Sequence, residues 1–503
     1  MSKNHLHSNI TYQIFIPSFA DSNGDGIGDI NGIISKLDYF VDLRIDSLWL
    51  SPIHSSPSYH KYDVVDYYSV DESYGSIEHF KNLVSSAHQK GIKIIIDLVL
   101  NHCSSQHHWF QEALSGNAFY KDFFIWSTQE QIEAEGSLTK EKSADSDNIY
   151  QWNKVEGGDE LYFSFFWKEM PDLNYDNPEV RKEVFKIGTF WLEEMGVDGF
   201  RLDAAKHIYP ETRIADCHAF WREFKQKMQV VKSDVHLLGE VWTDLQEQVP
   251  FTLGFTSLFN FDLSYSILET VKRERIIDPD ENPDSWKLHE RLSLLEIISA
   301  YEETLKKTRP DFISTTFLTN HDIDRVMSFL GESEEKAKLA ASILFTLPGS
   351  PCIYYGEEIG MKGTKPDEYI REPFLWAKGD RQNSAWIQSK YNLESDAHTL
   401  HEQKEGKPSI YQHYKSLIKL RKSNSSLELG KFAPYPINQG GIIAYLRSDP
   451  NSQVLVIHNL TKEEKIIRRI AAYQNVFYTT GLDLTSNIES FALSPYSSLI
   501  LSK

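Results

Sequence analysis

Eight short apolar runs recur along the chain, and this recurrence constrains the fold more than any other feature. They span residues 12–16, 47–50, 92–98, 197–203, 235–240, 256–261, 313–318 and 352–355, each rich in Ile, Val, Leu or aromatic residues and too short for a helix. Segments of helical period lie between most of them, including 77–90, 179–195, 218–230 and 287–307. A continuous apolar run fits a strand buried on both faces, as in a parallel sheet covered by helices. Eight strand–helix units predict an α/β chain closed into a (β/α)8 TIM barrel. Its active face would lie at the C-terminal ends of the strands.

The spacing breaks once. From Asn101 to about residue 171 no strand–helix unit appears. This stretch is first aromatic (Trp109, Phe110, Phe119, Tyr120, Phe123, Phe124, Trp126) and then polar over 130–147. So long a stretch predicts a small inserted domain after strand three, beside the active face. Beyond about residue 423 the runs 442–447, 453–459, 475–480 and 497–501 alternate apolar and polar residues, with turns between. They predict a C-terminal antiparallel β-sandwich domain. The expected boundaries are 1–101 with 171–422 for the barrel, 102–170 for the inserted domain and 423–503 for the last.

Composition narrows the class of partner. The formal net charge is −20 over 503 residues. An acidic surface repels phosphate backbones, which argues against nucleic acid. Cys103, Cys217 and Cys352 are too few and too scattered for a disulfide framework. The N-terminus MSKNHLHSNITYQ carries no apolar h-region, and the longest apolar stretch, IKIIIDLVL, is interrupted by Asp97. A cytoplasmic protein without a membrane span is the expectation, or a secreted one if the sequence is a processed form.

Several strand ends carry chemistry. Strand three runs through Asp97 into Asn101-His102, and strand four ends Arg201-Leu-Asp203, followed by Lys206-His207. Strand five ends in Glu240, and strand seven leads to His321-Asp322 with Arg325 after it. A barrel would bring Asp203, Glu240 and Asp322 to one site. Buried carboxylates beside an arginine and two histidines are costly to fold without a purpose. Retaining glycoside hydrolysis needs this set: a carboxylate to attack the anomeric carbon and a carboxyl group to protonate the leaving oxygen. Arg201 lies two residues before Asp203 on one strand, so both point to one face, and its charge would keep Asp203 ionised. Glu240 must begin protonated, which burial or neighbouring like charge would favour.

Four of these segments resemble the signature regions of the α-amylase family of glycoside hydrolases: DLVLNH (97–102), GFRLDAAKH (199–207), GEVW (239–242) and FLTNHD (317–322). MPDLN (170–174) resembles a fifth, in the form of a group intermediate between oligo-1,6-glucosidases and neopullulanases. Four such motifs in order leave little room for coincidence. The resemblance implies Asp203 as nucleophile, Glu240 as general acid/base and Asp322 as a grip on the distorted sugar. It also implies that His102 and His321 hydrogen-bond that sugar, that Tyr62 stacks beneath it with Asp63 alongside, and that Arg201 orients the nucleophile. Lys206 and His207 match residues that hold the leaving-group sugars, and Arg325 is placed with the substrate-binding set. Cys103 departs mildly from the family's small or hydroxylated residue at that position.

The implied activity is cleavage of α-1,4 bonds in starch, glycogen or maltooligosaccharides through a covalent glycosyl-Asp203 intermediate. Ala204 and Lys206-His207 favour α-1,4 specificity. The SPSYHKYDV segment and the MPDLN form lie close to exo-acting α-glucosidases, oligo-1,6-glucosidases and transglycosylases of the trehalose synthase type. A more distant alternative is a non-catalytic carbohydrate-binding or partner protein. Such relatives lack the carboxylates that this chain carries.

A separate loop, DSNGDGIGD (21–29), sets oxygen donors at alternate positions among glycines. It matches the first three-quarters of an EF-hand loop, although the twelfth position is Gly32 rather than a bidentate Glu. The expected ion is Ca²⁺, held by Asp21, Asn23, Asp25, the Ile27 carbonyl and Asp29. Adjacent His107-His108, with no carboxylate partner, read as surface residues rather than metal ligands.

Overall fold

The computed structural model describes residues 9–134, 151–155, 157–276, 287–405, 408–473, 475–480 and 490–503. The first eight residues of the N-terminal segment and residues 135–147 of the polar tract lie outside these. Eight parallel strands form one sheet: β1 (Thr11–Ile14), β2 (Ser47–Leu50), β3 (Lys93–Leu98), β4 (Gly199–Leu202), β5 (His236–Gly239), β6 (Ser257–Leu258), β7 (Thr315–Phe317) and β8 (Ser350–Tyr354). Their spatial order is β7-β8-β1-β2-β3-β4-β5-β6. A parallel bridge from Phe259 to Thr315 joins the two ends, and the Asn260 N–H donates to the Thr315 carbonyl at 2.9 Å. The sheet therefore closes as the eight apolar runs predict.

The strands are apolar on both faces because both are covered. Leu48, Leu50, Ile94 and Ile96 are fully buried in the main core that includes the outer helices. The alternate residues Trp49 and Ile95 cluster with Leu238, Phe259, Phe317 and Cys352. Period-two alternation continues this second set into Asp97, which pairs in register with Arg201 across β3 and β4. The C-terminal end of the barrel thus becomes charged.

Helix boundaries follow local capping. Asn177 caps Pro178–Glu193 by accepting from the Glu179 N–H, with proline at the first helical position. The segment expected over 287–307 forms two helices, Leu288–Arg291 and Leu294–Thr308, because Ser293 and Glu296 make a capping box that starts the second. β6 is shorter than expected because the Asn260 side chain accepts from Leu263 N and starts the helix Phe261–Arg273.

Between β3 and β4 the chain builds a three-stranded antiparallel sheet, in the order Trp126–Thr128, Glu160–Phe163, Trp152–Lys154. Three short helices precede it or lie against it, His108–Leu114, Ala118–Lys121 and Gln129–Ala134. After the barrel, Lys431–Pro434, Ile442–Ser448, Gln453–Asn459, Ser498–Ser502 and Asn475–Thr479 form a five-stranded antiparallel sheet in that order. A two-stranded sheet, Lys465–Arg468 with Ser490–Leu493, packs on it through a core including Leu455, Ile457, Ile467 and Phe491. Among the described residues no helix is long and apolar enough to cross a membrane, and all three cysteines are buried and unpaired.

Candidate active site

Asp203 and Glu240 each follow directly on the last residue of a barrel strand, β4 and β5. Arg201 is 1% exposed and lies between them. Its Nη1 contacts both Asp203 Oδ1 and Asp97 Oδ1, the latter at 2.9 Å, while its Nη2 lies 2.9 Å from Glu240 Oε1. One guanidinium thus ties together three carboxyl groups from three strands. Ala204 has a left-handed φ of 46°, which turns the chain sharply after Asp203 and aims its N–H at Glu240 Oε2, 2.9 Å away. A non-glycine residue held there costs about 1–3 kcal/mol, a strain typical of functional sites.

Three carboxyl groups cannot all stay ionised around one buried cation. Burial, reinforced by Asp203 and Asp322, pushes Glu240 up to about 8 against the pull of Arg201. Burial also raises Asp97 to about 7, again opposed by Arg201. At neutral pH Glu240 is therefore a proton donor. Burial works against ionising Asp322 as well, but His321, Arg371 and Arg201 outweigh it and hold that carboxyl below its usual value. Arg371 Nη2 sits 3.0 Å from Asp322 Oδ1, and His321 Nε2 sits 3.2 Å from Oδ2. The site thus pairs a protonated Glu240 with an Asp322 carboxylate held by Arg371.

The remaining expected residues divide into two groups. Tyr62, His102, Lys206, His207 and His321 line the same cleft, which has a volume of about 580 Å³. The Tyr62 hydroxyl donates to Asp97 Oδ2 at 3.1 Å, and its ring lies parallel to His321 with centroids 5.6 Å apart. His102 Nε2 is 3.1 Å from the Tyr62 carbonyl, and burial lowers its pKa, so the ring is neutral. His207 stacks on Phe165 at 4.2 Å, which fixes the ring at the cleft edge.

Asp63 and Arg325 are the exceptions. Asp63 is 1% exposed and accepts from Ser56 Oγ at 2.7 Å and from Ser58 Oγ, which holds the loop rather than facing the cleft. Arg325 is buried outside the cleft lining. Its Nε donates to the Ile370 carbonyl and its Nη1 to the Tyr355 carbonyl, both at 2.8 Å, with its guanidinium against the Tyr354 and Tyr355 rings. Arg325 therefore pins the segment after β8 and does not reach a sugar.

Arg371 faces the cleft in place of Arg325 and was missed by sequence reasoning, as were Lys365 and Asp367. They come from the irregular segment after β8, where no periodicity or motif marks them. Trp242, Phe261 and Tyr265 were also missed. Trp242 stacks on Phe261 and Tyr265, at 5.2 and 6.1 Å, and forms one wall of the cleft. His107 corrects another expectation, for it is buried and caps a helix through Nδ1, which accepts from Trp109 N at 3.1 Å.

The Asp21–Asp29 loop lies away from these groups. Asp21 accepts from the Asn23, Gly24 and Gly26 N–H groups at 3.0, 2.7 and 2.8 Å, and Asp25 accepts from Ile27 N at 2.8 Å. Asp29 caps the helix Ile30–Ser35 through Gly32 N and also accepts from Ser22. No ion pair reaches Asp21, Asp25 or Asp29, and no three His, Cys, Asp or Glu side chains converge on a metal-sized point, among the described residues.

Comparison with known proteins places this geometry. The family described as alpha amylase, catalytic domain, matches residues 13–430, and the alpha-amylase SusG C-terminal domain matches 442–500. The chain is 42% identical to Alpha-amylase 3 of Dictyoglomus thermophilum, covering 98% of this chain and 92% of that protein. It is 34% identical to the 4-alpha-glucanotransferase of Thermotoga neapolitana, covering 92% and 98% respectively. Among solved structures, an alpha-amylase from H. orenii superposes with a TM-score of 0.86 at 36% identity, covering 99% of each chain.

Proposed function

Since the chain belongs to the α-amylase family of glycoside hydrolases, we propose that it cleaves α-1,4-glucosidic bonds in starch, glycogen or maltooligosaccharides with retention of configuration. The observation that carries this reading is the buried Arg201, whose guanidinium holds Asp203 on one terminal nitrogen and Glu240 on the other. Two carboxyl groups on one guanidinium lie close together, as a nucleophile and an acid/base flanking one bond must.

In the first step the Glu240 proton passes to the glycosidic oxygen while Asp203 attacks the anomeric carbon. The leaving sugar departs with its new hydroxyl, and a glycosyl ester forms on Asp203. In the second step the Glu240 carboxylate takes a proton from water, whose oxygen attacks the same carbon and frees Asp203. Asp322, held ionised beside Arg371, accepts hydrogen bonds from sugar hydroxyls. His321 is neutral and donates to the same sugar, His102 lines its pocket as a neutral ring whose one proton is held by the Tyr62 carbonyl, and Tyr62 lies beneath the sugar.

Maltoheptaose separates this reading from its neighbours. An endo-acting enzyme releases a mixture of short maltooligosaccharides in the first minutes. Glucose as sole early product indicates exo-action instead, and cleavage of isomaltose indicates α-1,6 specificity. Glycosyl transfer is the second reading, supported by the similarity to a 4-alpha-glucanotransferase and by the aromatic wall at Trp242 and Tyr265. A sugar stacked on that wall would compete with water for the ester. Products longer than maltoheptaose, or trehalose formed from maltose, would replace hydrolysis by transfer as the main activity.

The Asp21–Asp29 loop belongs to the same proposal as a structural Ca²⁺ site. Its donors are all oxygen, as this hard cation requires, and no side-chain cation neutralises its three carboxylates among the described residues. Asp21, Asn23, Asp25 and the Ile27 carbonyl share the loop, whereas Asp29 would have to turn from its helix cap to join them. No step of hydrolysis passes through the ion. Chelation with EDTA is expected to lower the thermal midpoint by several degrees, with recovery on adding Ca²⁺, since an ion bound only by the folded state stabilises it. Asp25→Ala should abolish the response. An unchanged midpoint in EDTA would remove calcium from the account.

A further inference from the structure

The reading of the cleft as a glycosidase site requires a neutral His321 that donates toward the sugar. His321 is 1% exposed, and burial drives its pKa down to about 3. Near neutral pH the ring therefore carries one proton, on one nitrogen only. Nε2 faces Tyr62 Oη at 2.5 Å and Asp322 Oδ2 at 3.2 Å. The Asp322 carboxylate can only accept, and the Tyr62 hydroxyl proton is directed to Asp97 Oδ2. Both neighbours ask for a proton on Nε2, which leaves Nδ1 bare and in need of a donor.

That donor is Gln13 on β1, whose side-chain nitrogen lies 2.8 Å from Nδ1. If the amide were inverted, its oxygen would call the proton to Nδ1. The Nε2 lone pair would then face the Asp322 carboxylate, and Tyr62 would have to turn its proton from Asp97 to the imidazole. Either orientation leaves one amide atom without a partner. The orphan is Oε1, buried and unsatisfied, a cost of about 1–3 kcal/mol that the site tolerates.

We infer that Gln13 is a positioning residue that locks His321 as its Nε2–H tautomer, making it a neutral donor beside Asp322. The inference rests on the glycosidase reading of the cleft. It orders one chain of donors: Gln13 to His321, His321 to Tyr62, Tyr62 to Asp97, with Arg201 closing on the other Asp97 oxygen. The charged groups acting on His321 are Asp322, Arg371, Arg201 and Lys365, and Trp49 packs edge-on against its ring at 5.8 Å. Arg371 also holds the His321 carbonyl through Nε at 2.8 Å. None of these groups supplies a donor to Nδ1.

Ring-nitrogen NMR of the full chain with ¹⁵N-labelled histidine reads the tautomer directly, with His321 identified by the signals lost in His321→Gln. The wild type is expected to show protonated Nε2 and bare Nδ1. In Gln13→Glu the new carboxylate accepts from Nδ1, so the ring should hold two protons at about pH 6. Its kcat on maltoheptaose should fall on the order of tenfold or more as pH rises and the ring gives up its Nε2 proton while Nδ1 stays protonated against the carboxylate, with KM changing less. Gln13→Met offers no donor and should show a mixed tautomer. An Nδ1–H ring in the wild type, or a Gln13→Glu variant with unchanged ring signals and pH profile, would overturn the inference. The wild-type spectrum needs no variant of Gln13 to fold. It is also independent of whether Asp203→Asn is inactive, so failure of the tautomer and failure of the glycosidase reading are separable.

Discussion

Asp203→Asn lowers kcat on maltoheptaose on the order of 10⁴-fold or more, since an amide cannot form the glycosyl ester and loss of a nucleophile removes the whole pathway. The substitution is nearly isosteric, and Arg201 keeps Asp97 and Glu240 as partners, so the fold is retained. The thermal midpoint should stay within a few degrees of the parent, which separates lost chemistry from lost structure. One secondary effect has a defined sign. Asp203 is among the charges that raise Glu240, so its removal should make Glu240 more acidic. A variant retaining more than about a tenth of the parent kcat would sink the assignment of Asp203, because another group would then have to act as the nucleophile.

Glu240→Gln is the second large effect, with a different signature. General acid catalysis contributes about 10²–10⁴-fold, so cleavage of maltoheptaose should fall by that range. α-Glucosyl fluoride leaves as fluoride and needs no proton, so formation of the ester from it should be far less impaired. The pH profile follows from the raised pKa. The acid is present below about 8 and is lost as pH rises through that value, so kcat/KM of the parent should decline on the alkaline side from there. In Glu240→Gln that decline should disappear. Equal losses on both substrates, or an alkaline limb that survives the substitution, would assign the proton to another group.

Much of the architecture was legible because both of its periodicities are strong. Eight runs apolar on both faces could be satisfied only by a covered parallel sheet, and β2 occupies the four residues expected of it. The carboxyl cluster was legible for a related reason. Strand ends put Asp203 and Glu240 on one rim, and alternation turns Arg201 toward them. What sequence could not show came from irregular backbone. Arg325 follows the Asp322 motif closely, but its guanidinium is satisfied by the Tyr355 and Ile370 carbonyls, and Arg371 from a distant segment occupies the cleft instead. Gln13 sits in a strand with no signature, and its role emerges only from which ring nitrogen of His321 it meets. Asp29 illustrates a third limit. Its spacing suits a metal loop, yet the same spacing puts it at the start of a helix, where its carboxyl finds the Gly32 N–H.

The central claim is that Asp203 becomes covalently glycosylated. It is tested most directly by reacting the Glu240→Gln variant with a slowly turned-over fluorinated α-glucosyl fluoride and mapping the product by peptide mass spectrometry. The account predicts one fluoroglucosyl unit, attached with loss of fluoride, on the peptide that contains Asp203, and none when Asp203 is also replaced by Asn. Label on a different carboxylate, or consumption of the reagent to free sugar of inverted configuration, would contradict it.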